Sequence, residues 1–74
     1  MKQEIEKLLA KTDWQIKSLE KSLNNEIHSM KYEAEIENVN YVKTTCERIE
    51  QIRKEIDIYI AYQRELEGIL KMED

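Results

Sequence analysis

The chain has 74 residues, with 12 Lys and Arg against 16 Asp and Glu, one Gly, no Pro and no Phe, a composition that describes one small domain of helical character. A net charge of -4 argues against the basic footprint of a direct nucleic-acid or anionic-membrane binder. The longest apolar run, Ile58 to Tyr62, is far short of the ~18 residues a membrane-spanning helix needs.

The lone Cys46 has no second cysteine for an intramolecular disulfide, and the first residues lack the pattern of a secretory leader. The expected setting is the cytoplasm, with no membrane partner.

Ile5, Leu9, Thr12, Ile16, Leu19, Leu23, Ile27 and Met30 recur at intervals of three or four, which predicts an amphipathic helix over about residues 3–37. Asn38 and Asn40 follow. Because asparagine tolerates the left-handed backbone that ends helices, a turn is expected at about 38–41. Val42, Thr45, Ile49, Ile52, Ile56, Tyr59, Gln63, Leu66 and Leu70 resume the alternation, predicting a second helix over about 42–72. Thr44, three residues before Glu47, reads as a capping box opening it.

The two heptad frames do not join. Extending Ile16, Leu23 and Met30 by sevens reaches Glu37 and Thr44, whereas the later frame runs through Val42 and Ile49. The expected fold is all-α: a single domain over 1–74 formed by an antiparallel two-helix hairpin, coiled-coil-like, that dimerises into a four-helix bundle. A rival pattern steps by three, four and four from residue 16 to residue 56 and describes a single long helix in an antiparallel coiled coil. Its middle members, Ala34, Asn38, Tyr41 and Thr45, make a weaker seam than the Ile and Leu stripes on either side.

Charge favours antiparallel packing. Residues 1–21 carry +1, 22–38 carry -3, 39–56 carry +1 and 57–74 carry -3. Folding near residue 39 sets each positive block beside a negative one, an arrangement worth a few tenths of a kcal/mol per exposed pair. Two long antiparallel helices would preserve the same pairing.

If Ile16, Leu19, Leu23, Ile49, Ile52 and Ile56 face inward, the helical period sends Trp14, Tyr32, Ile36, Val39, Ile58, Tyr62 and Ile69 outward. Exposed Trp and Tyr side chains are favoured interface anchors. A turn near residue 39 places Trp14 level with about residue 64. Trp14, Ile58, Tyr62 and Ile69 are therefore the candidate protein-binding residues, gathered at the end remote from the turn.

Catalytic chemistry has little to stand on. A di-iron bundle needs Glu-x-x-His, but Asn25 stands three residues before His28. His28 and Cys46 have no sequence-local partners, and alternate spacing sends Glu33, Glu35 and Glu37 in different directions around a helix. The only glycine, Gly68, rules out a Gly-rich phosphate loop. The expectation is a non-enzymatic interaction module, without metal or cofactor, that binds itself and another protein. The alternative is a small acidic inhibitor or regulator occupying the basic groove of a nucleic-acid-handling protein.

Overall fold

The computed structural model describes residues 1–73. Helix α1 spans Lys2–Glu35 and helix α2 spans Val39–Glu73. They pack against each other as a hairpin measuring 55 × 14 × 12 Å. The hairpin, rather than one continuous helix, is the fold.

The turn falls earlier than the asparagines suggest, occupying Ile36 to Asn38, so that α1 stops short of residue 37 and Val39 to Tyr41 are already helical. Glu37, at φ 58°, is the residue in the left-handed region. The Glu37 amide donates to the Ala34 carbonyl at 3.1 Å, and the Asn38 amide donates to the Glu33 carbonyl at 3.0 Å. These two reversed bonds form the Schellman arrangement that satisfies the last carbonyls of a helix.

Asn38 then begins α2. Its Oδ1 accepts from the Tyr41 amide at 3.4 Å, its carbonyl accepts from the Val42 amide at 3.0 Å, and its Nδ2 donates to Glu33 Oε2 at 3.0 Å. One side chain thus caps α2 and ties back to α1. The expected capping box at Thr44 is not formed. Thr44 lies inside α2 and its hydroxyl donates to the Asn40 carbonyl at 3.1 Å.

A non-glycine residue in the left-handed region costs roughly 1–2 kcal/mol, and glycine offsets part of that relief by its greater freedom when unfolded. Glu37→Gly is expected to raise stability by about 0.5–1 kcal/mol, read as a higher urea midpoint by circular dichroism. A lower midpoint would mean that the Glu37 side chain contributes more than its backbone costs.

The interface between the helices is built from the two expected stripes. Ile5, Thr12 and Ile16 of α1 and Thr45, Ile49 and Leu66 of α2 are buried. Leu9, Leu19, Leu23, Ile27 and Met30 are half-buried opposite Val42, Ile52, Ile56, Tyr59, Gln63 and Leu70. Threonine is tolerated in this apolar seam because its hydroxyl finds a partner. Thr12 donates to the Leu8 carbonyl at 2.7 Å, and the fully buried Thr45 accepts from Arg48 Nη2 at 3.4 Å.

Two helices enclose little. The chain exposes 5956 Å², whereas a compact protein of 8.9 kDa would expose about 4,800 Å². The difference, about 1,100 Å², exceeds the ~800 Å² that each partner of a standard protein interface removes from water.

Candidate interaction surface

Among the described residues, cross-helix contacts next to the turn index the register of the arms. The Arg48 guanidinium meets Glu26 Oε2 at 3.1 Å. This carboxylate oxygen is itself shielded from water and is matched by charge, without an aligned hydrogen bond. The Ser29 and Tyr41 hydroxyls share a hydrogen bond of 2.9 Å. The Cys46 thiol donates to the Met30 thioether at 3.4 Å. The ion pair joins the negative second quarter of the chain to the positive third, as antiparallel charge matching requires.

Carried along the arms, this register sets Trp14 level with about residue 60 rather than 64. The earlier turn accounts for the change, since moving a turn by two residues moves every cross-arm pairing by four. Trp14 still lies in the half of the hairpin remote from the turn.

All seven side chains expected to face outward are exposed. Trp14 is 65% accessible, Ile58 67% and Tyr62 39%, and Tyr32, Ile36, Val39 and Ile69 are likewise in water. Within the half remote from the turn, the four candidate residues fall on both helices. Ile58, Tyr62 and Ile69 are spaced by four and seven residues, so they form one stripe along α2. Trp14 is two residues, about 200°, from the buried Ile16 and stands on the outer face of α1. Of these four, Tyr62 lines a groove with α1 residues.

That groove is bounded by Leu8, Lys11, Thr12, Gln15, Tyr59 and Tyr62 and encloses about 230 Å³. Leu8, 40% exposed, is the apolar member that belongs to neither the seam nor the expected outward set. It sits beside the seam residue Leu9, and its place opposite the two tyrosines emerges only once the arms are in register. A second open cleft, of about 460 Å³, lies at the turn among Ala34, Glu37, Val39 and Val42.

The polar residues considered for chemistry are dispersed. His28 is exposed, the Cys46 thiol points to a thioether rather than an imidazole, and Glu33 is engaged by Asn38. Among the described residues no group of three or more His, Cys, Asp and Glu side chains is placed to hold a metal ion. Among them, too, no helix is long and apolar enough to cross a membrane.

No protein-family model matches the chain, and neither a curated protein nor a solved structure resembles it significantly. The surface itself is therefore the basis for a functional reading.

Proposed function

We propose that the hairpin is a non-enzymatic interaction module that pairs with a second copy of itself and presents its remaining apolar surface to another protein. The observation carrying this reading is the outward apolar set, above all the α2 stripe of Ile58, Tyr62 and Ile69 beside the Leu8 and Tyr59 groove. Laid side by side, two hairpins would bury these stripes in a four-helix bundle, and a twofold pairing is the commonest way to close such a contact. The exposed area in excess of a compact protein's is large enough to supply that interface. Trp14, on the other side of α1, remains free to anchor a different protein, since an indole gains much from leaving water and can still donate one hydrogen bond.

Sedimentation equilibrium tests the first half of this reading. A dimer is expected at concentrations on the order of 10–100 micromolar, with an association constant that changes little with salt, because apolar docking is not screened. A monomer throughout that range overturns self-pairing. Salt dependence of binding to another protein separates the alternative reading, because capture steered by charge, as when an acidic chain occupies a basic groove, weakens steeply with ionic strength.

A further inference from the structure

The turn joining the helices is poorly suited to remaining a turn. It holds three residues, Ile36, Glu37 and Asn38, and its left-handed position is filled by glutamate, a good helix former with no steric licence for that conformation. Ile36 within the turn and Val39 just after it stand in water, 56% and 73% exposed. No Pro or Gly lies between Met1 and Glu67 to stop a helix passing through. The three-and-four spacing also carries across the turn, through Ile27, Met30, Ala34, Asn38, Tyr41, Thr45 and Ile49, with its weakest members at the centre.

We propose that the chain has a second assembled state in which two copies exchange arms. Glu37 moves from the left-handed to the right-handed helical region, α1 and α2 join, and two long helices lie antiparallel. Each α1 then packs on the partner copy's α2. The partner this surface fits is a second copy of this chain, because the seam of Ile5, Thr12, Ile16, Thr45, Ile49 and Leu66 is reproduced twice with no new complementarity required. The charge blocks pair as they do in the hairpin. The exchange relieves one strained backbone position per chain, and a short hinge under strain is the known invitation to swapping. This state needs none of the outward residues used in the proposed pairing, so the two readings stand or fall separately.

The decisive measurement is the distance between two sites in one chain. A Ser22→Cys variant offers two thiols with the native Cys46, both at exposed positions on opposite arms. Spin labels there are separated by less than about 20 Å in the hairpin, where neighbouring helix axes lie 8–10 Å apart. They are separated by about 36 Å along one continuous helix, at 1.5 Å per residue. Labelled chain is diluted into an excess of unlabelled chain and refolded from urea at ~200 micromolar, so that only distances within one chain are read and mass action favours the dimer.

A dimer fraction with the longer distance is expected, growing about tenfold or more with Glu37→Ala and shrinking about tenfold or more with Glu37→Gly, since alanine prefers the helix and glycine the turn. Its small-angle scattering length should be about 110 Å, twice the 55 Å of the hairpin. The proposal is overturned if every dimer keeps the short distance, if residue 37 has no influence on the long one, or if Glu37→Ala stays monomeric. A dimer of short internal distance would leave side-by-side pairing intact while removing arm exchange.

Discussion

Ile49→Ala is expected to lower the stability of the hairpin by about 2–4 kcal/mol, the usual result of deleting a large aliphatic side chain from a packed interior. Ile49 is 6% exposed and stands one turn after the fully buried Thr45. It also borders the crevice shared by Ile27, Met30 and Cys46, so the vacated space is walled by side chains from both helices. A chain of this size has a total stability of roughly 4–11 kcal/mol, which makes the loss a large fraction of the whole. Urea unfolding followed by circular dichroism, at one fixed protein concentration, measures it. Ile52→Ala is the internal comparison. Ile52 belongs to the same stripe but is half-exposed, so its truncation should cost distinctly less. Equal losses would mean that the two positions are equally buried in an assembly larger than the single hairpin. A loss below about 0.5 kcal/mol at Ile49, typical of a surface site, would place the seam on another face.

The second large effect concerns association. Replacing Ile58 and Tyr62 together by serine should weaken self-pairing by about 2–4 kcal/mol, as truncating central interface anchors does. The helical circular dichroism should be nearly unchanged, because both side chains are already exposed in the single hairpin. Trp14→Ser should leave the self-association constant within about threefold, since Trp14 does not share the α2 stripe. Sedimentation of the two variants beside the parent distinguishes the faces. If the Trp14 variant dissociates and the α2 variant does not, the pairing surface is the outer face of α1. Loss of the helical signal in either variant would mean that the altered residues are core in the assembled protein.

The seam was readable from periodicity alone, because a helix pair buries a stripe at intervals of three and four and every member of both stripes is buried or half-buried. The outward set followed by subtraction. What periodicity could not deliver was the position of the turn. Asn38 and Asn40 are the residues most tolerant of a left-handed backbone, yet Glu37 adopts it. Asn38 instead serves as the cap of α2 and the tether to Glu33. Its side chain rewards a turn one residue earlier, and that gain decides which residue accepts the strain. The apparent capping box at Thr44 misled because a threonine hydroxyl inside a helix can equally bond back to the carbonyl four residues earlier. An error of two residues at the turn then propagated to the candidate surface. It shifted the pairing of the arms by four residues, about one helical turn, enough to hide Leu8 from its tyrosine neighbours. The separation of Trp14 from the α2 stripe follows from the same period, since Trp14 lies about 200° from the buried Ile16 while Ile58, Tyr62 and Ile69 share one line of α2.

Three directional contacts between the arms, Glu26 with Arg48, Ser29 with Tyr41 and Met30 with Cys46, lie in the half of the hairpin next to the turn. Apolar stripes that repeat every seven residues are nearly indifferent to sliding by one repeat, whereas an ion pair and a hydroxyl bond are not. These contacts fix the alignment of the arms near the turn, at a distance from Leu8, Tyr59, Tyr62 and Ile69 in the remote half. Exchanging those four side chains leaves all three contacts in place, so these fixed points of alignment persist while the outer surface changes in size and chemistry.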